Sequence, residues 1–292
     1  MDRRTLLLGA LVLAGCAQAR PAGVVTAATP APSAGVASPT ASGPVIGTDQ
    51  TASGAMLAAL LTGARPASTA TLGSDWRARL GDGATSAAPV FAGTAWAQLS
   101  DSDEPPDDVV GDLAGLVEPD VSIMAAGTLD GALAWMAPAT ASVTSLDQVA
   151  RRLAGKAVAV PSLAVERADG LPGLSVIYGV KLSHLVEDDP IARAALITSG
   201  RAAFGAFRRT EYLDTDQFRE LADPIGMVTP DPVVLAVNAA FADADPKSVL
   251  ALNAVLQALS DADLVDLQRQ VAGGSAAADV ARQWLVGKGL VT

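Results

Sequence analysis

Two residue types that usually carry chemistry are almost missing. The chain has one histidine, His184, and one cysteine, Cys16, in 292 residues. That supply argues against a zinc site and against a Ser/His/Asp or Cys/His triad. The chemistry left is recognition by charge, hydrogen bonds and aromatic faces. Its most concentrated stretch is RADGLPGLSVIYGV, Arg167 to Val180, which holds a base, an acid, three glycines and one of two tyrosines. The DGLPGL segment reads as a turn. Arg167 either pairs with Glu166 or Asp169 at the surface or turns its planar guanidinium to a ligand. His184, in KLSHLVEDD, reads as an ordinary surface or helix-end histidine.

These residues need elements to position them. β-type runs appear at PVIGTDQ, ASTATLG, KAVAVPS, RAAFGAFRRT and PVVLAVNAAF. AAPVFAGTAWAQL reads as a strand entering a loop. Helical patterns appear at TASGAMLAALLTGA, DWRARLGDGAT, PPDDVVGDLAGLV, TSLDQVARRLAG, Leu171 to Tyr178 and DPIARAALITSG. The C-terminal part reads as three helices, one from Pro246, one capped at Ser260 and one capped at Ser275. Alternating strands and helices predict an α/β architecture with largely parallel sheets. Ligands of such sheets sit at strand ends. The polar loops to watch are therefore GTDQ, FAGTAW, WMAPATAS, ERADG, FRRT and TPDP.

The N-terminus reads as a leader. Arg3 and Arg4 precede an apolar run from Thr5 to Gly15, long enough for a signal and too short to span a bilayer. Leu13-Ala14-Gly15-Cys16 resembles a bacterial lipobox, in which the cysteine is acylated; a plain secretory signal is the alternative. The arginine pair also resembles a twin-arginine signal, so export by Sec or Tat stays open. Residues 16–43, rich in Ala, Pro, Ser, Thr and Gly, read as a flexible tether. The formal net charge is −11; without residues 1–15, which carry one acid and two bases, it is −12. Such acidity argues against nucleic acid.

The chain resembles the substrate-binding lipoproteins of ABC importers for glycine betaine, choline and related osmoprotectants, over about Val45 to Val291. The resemblance rests on Arg167-Ala168-Asp169-Gly170, Pro172-Gly173-Leu174 and Tyr178-Gly179. Gly47-Thr48, Gly93-Thr94, Trp135 with Pro138, Pro232 to Val237 and the helical tail add to it. It implies a type II periplasmic-binding-protein fold, with two α/β lobes around a ligand cleft and two crossovers. Lobe 1 would be 44–138 plus 232–292, and lobe 2 139–231. It also implies a monomeric extracytoplasmic binding protein, lipid-anchored at Cys16 to the outer face of the cytoplasmic membrane. Such a protein is not an enzyme, needs no cofactor or metal, and hands a small solute to permease and ATPase subunits.

The family holds a quaternary ammonium in an aromatic cage by cation–π attraction. It holds a betaine carboxylate with a lysine, a threonine and an arginine. By the resemblance, Thr94 and Arg167 stand at the threonine and the arginine, and Phe91 and Phe207 at two of four cage tyrosines. A third cage position has no aromatic, Asp231 stands at the fourth, and Asp49 replaces the lysine. Phe91 and Phe207 are otherwise ordinary core residues, and Tyr178 packs the helix of its segment. With a lysine lost and two acids gained, the expected ligand is cationic, of the choline or amine class, held by Asp49 and Asp231. The rival reading is an envelope lipoprotein that keeps the fold, has lost osmoprotectant binding and serves a non-transport role.

Overall fold

A computed structural model describes residues 43–102, 106–153, 155–213 and 216–292. The expected signal, the expected lipidation site Cys16 and the expected tether lie outside them, apart from Gly43. The first lobe begins with β1 (Val45–Thr48), α1 (Ala52–Ala64), β2 (Ser68–Thr71), α2 (Trp76–Gly81), β3 (Ala87–Phe91), α3 (Ala92–Leu99), α4 (Val109–Val117) and β4 (Val121–Ile123). The second lobe comprises β5 (Leu133–Pro138), α5 (Leu146–Arg152), β6 (Ala157–Val160), α6 (Leu171–Ile177), β7 (Ser183–Val186), α7 (Pro190–Thr198), β8 (Phe204–Arg208) and β9 (Phe218–Glu220). The chain then returns to the first lobe as β10 (Val233–Asn238), α8 (Ala239–Ala244), α9 (Pro246–Ala258), α10 (Asp261–Ala272) and α11 (Ala277–Gly287).

The two sheets share one plan. Their orders are β2-β1-β3-β10-β4 and β7-β6-β8-β5-β9. In each, the fourth strand is the one the crossover delivers, and it runs antiparallel to both neighbours. The sheets are therefore mixed: four strands of each run one way, in keeping with the largely parallel expectation, and one runs against them. The reason is topological: a strand arriving from the other lobe enters from the cleft end, opposite to strands fed by their own helices.

Strand β10 shows why so apolar a sequence sits in the middle. All six residues of VVLAVN are buried. Val233, Leu235 and Val237 pack under α1, α9, α10 and α11, while Val234 and Ala236 pack toward α2, α3 and α4. The two-residue period thus serves two cores at once. The helices over it begin on side-chain caps: Thr51 on α1, Asp245 with Pro246 on α9, and a reciprocal Ser260–Asp263 box on α10. α11 starts at Ala277 after Ala276, without a side-chain cap, so Ser275 does not cap it. His184 lies exposed on edge strand β7, paired in register with Val158, not at a helix end.

The first crossover falls earlier than expected. β5 pairs with β8 and β9, so residues 133–138 belong to the second lobe. The boundary is near residues 129–132, where Asp130 bridges Pro232 and the Val233 N–H donates to the Leu129 carbonyl. The two crossing segments thus lie side by side, and 229–232 is the second. Beyond them, a clamp joins the lobes. The Thr210 carbonyl, just after β8, accepts from Ser53 Oγ at 2.7 Å and Gln268 Nε2 at 2.7 Å, both on first-lobe helices.

The DGLPGL corner is built on close backbone approach. A Cβ on Gly170 would lie 2.0 Å from the Ala164 carbonyl oxygen, and one on Gly173 2.2 Å from that of Ala168. Tyr178 ends α6; its hydroxyl donates to the Asp223 carboxylate and accepts from the Ile225 N–H. Burial, then that carboxylate, push the phenol up to about 12. Gly170→Ala should therefore cost about 1–3 kcal/mol or more through forced overpacking. Gly115, inside α4 with open space around its absent Cβ, should gain about 0.5–1 kcal/mol as alanine. Urea unfolding of the two variants checks this; equal midpoints would count against the corner as a close-packed joint.

Candidate functional site

The strand ends that face the space between the lobes converge on one carboxylate. Asp231 lies in the second crossing segment between Pro230 and Pro232 and is 0% exposed. Its Oδ2 accepts from Thr94 Oγ1 at 2.6 Å, Arg167 Nη1 at 2.9 Å and Arg208 Nη1 at 2.9 Å. Its Oδ1 accepts from the Thr94 N–H at 3.0 Å. That N–H belongs to the first turn of α3, where unpaired amides favour an anion. β3 runs into α3 with no linker, so the expected loop after FAG is a helix start. Gly93 has no Cβ to hold the carboxylate off: one would sit 3.0 Å from Asp231 Oδ1.

Both arginines are anchored from behind. Arg167 grips Asp169 with Nε and Nη2, each at 2.8 Å, and Thr229 Oγ1 donates to the same carboxylate at 3.1 Å. Its Nη1 also donates to Thr94 Oγ1 at 2.8 Å. Arg167 thus pairs with Asp169, and its remaining nitrogen reaches Thr94 and Asp231. Arg208 donates to the Gly131 carbonyl at 3.0 Å and to Thr94 Oγ1 at 2.9 Å. Its guanidinium carbon stands 3.9 Å from the centre of the Phe91 ring. Gly131 makes that stack possible, since a Cβ there would collide with the ring. Glu211 accepts from the Arg208 N–H and from the buried Arg193, fixing the end of β8.

Beside this network lies a cavity of about 300 Å³. Leu72, Trp76, Pro89 and Phe91 give it apolar walls, and Asp49, Asp188 and Glu211 give it carboxylates. Thr94 and Arg208 form the side toward Asp231. Trp76 donates its indole N–H to Gln98 at 3.2 Å. Asp49 is exposed at the cavity, its Oδ1 accepting from the Thr51 N–H at 3.0 Å.

Of the residues singled out in the sequence, Phe91, Thr94, Arg167 and Asp231 come together, and Asp49 stands nearby. Phe207 does not join them. It is 0% exposed and packs with Ile197, Leu213 and Phe218, under the Arg193 guanidinium at 4.5 Å. Neighbours in a strand point to opposite faces, so the residue that reaches the cleft is Arg208. Asp231, expected to meet a cation, instead holds two of the protein's own. Arg208, Trp76 and Glu211 were not singled out, and Asp169 was named only as a surface partner for Arg167 and as part of its motif. Only FRRT and ERADG, already marked as polar strand-end loops, signalled two of them.

Burial alone would push the Asp231 carboxyl up. The charges of Arg208 and Arg167, with the Thr94 hydrogen bond, outweigh it and hold the group below the usual carboxylate range. A depressed carboxylate stabilises the fold fully above its unfolded value, about 3.9, and the contribution fades as pH falls through the lower folded value. Asp231→Asn should accordingly lower Tm near neutral pH, with the gap to wild type closing below about pH 4. A gap that stays constant across that range would contradict the assignment; thermal melts across pH read it directly.

A family model described as the substrate binding domain of ABC-type glycine betaine transport systems matches residues 45–286. Solved structures share the fold at low identity. A glycine betaine/carnitine/choline ABC transporter protein is 14% identical with a TM-score of 0.70, covering 85% of this chain and 99% of that one. Apo YehZ from Escherichia coli is 19% identical with a TM-score of 0.64, over 85% and 99%. Lactococcal OpuAC, closed around glycine betaine, is 15% identical with a TM-score of 0.64, over 84% and 95%. No curated protein sequence matches. The two lobes, the two crossovers and the shared sheet plan are those of the type II periplasmic-binding-protein fold. The chain belongs to the family of substrate-binding domains of ABC-type glycine betaine transport systems, the solute-binding components of ABC importers.

Proposed function

We propose that this solute-binding protein captures a small organic cation of the choline or amine class and delivers it to its importer. The observation that supports this reading is the charge balance around the cavity. Asp49, Asp188 and Glu211 line it; Glu211 is matched by Arg193, and Arg167 and Arg208 by Asp169 and Asp231, which leaves Asp49 and Asp188 without an ion-pair partner among the described residues. A cation entering there meets carboxylates and the indole of Trp76. A quaternary ammonium has no proton to donate, so it gains from the ring's negative face and from field strength, not from directed hydrogen bonds.

The cellular setting belongs to the same proposal. Cleavage before Cys16 and its acylation would leave a monomeric binding protein on a tether at the outer face of the cytoplasmic membrane. A single acyl chain binds only marginally, so two or more chains are needed for stable anchoring. Cys16→Ser is expected to move the protein from the membrane fraction to the soluble one; unchanged fractionation would remove the anchor from the proposal.

For the ligand, calorimetric titration with choline and tetramethylammonium should give saturable binding. Trp76→Leu should weaken it by about 1 kcal/mol, roughly fivefold. Asp49→Asn should weaken it less, and more so at low salt, because Asp49 is exposed and screened. Absence of binding across such cations would sink the ligand assignment.

A further inference from the structure

Arg208 and Asp231 together have the chemistry of a zwitterion. The guanidinium of Arg208 lies on the face of Phe91 at 3.9 Å. The carboxylate of Asp231 lies among Thr94, Arg167 and the first turn of α3. Each half therefore occupies what an incoming solute would use: a ring face for a cation, and converging donors for a carboxylate. The pair is itself joined at 2.9 Å.

We propose that Arg208 and Asp231 act as a resident surrogate for a zwitterionic solute, and that Asp231 is the residue that excludes carboxylate-bearing solutes from the cleft. The proposal deepens the cation reading above and rests on it for the identity of the accepted class.

The exclusion follows from geometry and charge. A second carboxylate would need Thr94 Oγ1, the Thr94 N–H and Arg167 Nη1, all of which already donate to Asp231. It would also stand beside a buried like charge, which disfavours its charged form. Asp231 cannot swing aside. Prolines flank it on both sides and fix the local backbone. Its N–H donates to Asp130 Oδ1 at 2.7 Å, and its carbonyl accepts from the Gly131 N–H at 2.9 Å. A cation without a carboxylate makes no claim on these donors and uses the neighbouring cavity.

Chemical rescue tests this. Asp231→Ala removes a group the size of formate and leaves its donors in place. Sodium formate should raise the Tm of Asp231→Ala above that in an equal concentration of sodium chloride. It should do nothing specific for wild type, or for Asp231→Asn, whose amide fills the space. Should Asp231→Ala prove unfolded, formate should restore its far-UV circular dichroism where chloride does not. In the same variant, glycine betaine should bind roughly tenfold tighter than to wild type, the scale of one charge-assisted bidentate contact. Formate acting no better than chloride on Asp231→Ala, or equally on Asp231→Asn, overturns the proposal. The formate readout uses no transported solute, so it stays decisive even where wild type binds no cation and the reading above fails.

Discussion

A carboxylate removed from water must be matched, and at Asp231 that requirement organises the molecule. An unmatched buried charge would cost several kcal/mol, and breaking such a group by removing one partner typically costs about 3–5 kcal/mol. The donors come from separate places: the start of α3 in the first lobe, the DGLPGL corner and the end of β8 in the second. One side chain on a crossing segment thereby demands a specific arrangement of both lobes. The glycines around it serve the same end, since Gly93 and Gly131 admit the carboxylate and the Phe91–Arg208 stack.

The arrangement has a supporting layer of its own. Asp169 orients Arg167, Glu211 holds the backbone of Arg208, and Asp130 holds that of Asp231. Each arginine in the network faces an acid, so the cluster is close to neutral, while the adjacent cavity keeps an acidic lining. Field and shape are thus divided between neighbouring compartments. One is filled by the protein's own ions, and the other has carboxylates and an indole at its walls.

Much of the fold was legible because its signals are local. Asp-Pro steps at 189–190 and 245–246 start α7 and α9. The continuous apolar run of β10 matches a strand covered on both faces. The crossover near 130 was less legible, because VSIMAAGTLDGALAWMAP is apolar on both sides of it and nothing in composition marks which sheet a strand joins. At the site, the family resemblance pointed to Thr94, Arg167 and Asp231 but not to their mutual pairing. Asp231 meets Arg208 across 23 residues of sequence, Arg167 across 64 and Thr94 across 137. Phe207 shows the sharpest limit: a shift of one residue along β8 exchanges a core ring for a cleft guanidinium.

The bridging groups between the lobes being the protein's own has a thermodynamic consequence. A ligand shifts a two-state cleft only by its differential affinity for the two states. Where a solute supplies the contacts that join two lobes, closure reports its presence. Here Thr94, Asp231, Arg167 and Arg208, with the Ser53–Thr210–Gln268 clamp, already join them. A solute in the cavity therefore meets lobes that are already bonded to each other without it. Strengthening the network raises affinity through preorganisation but narrows that response, while weakening it widens the response at the cost of affinity.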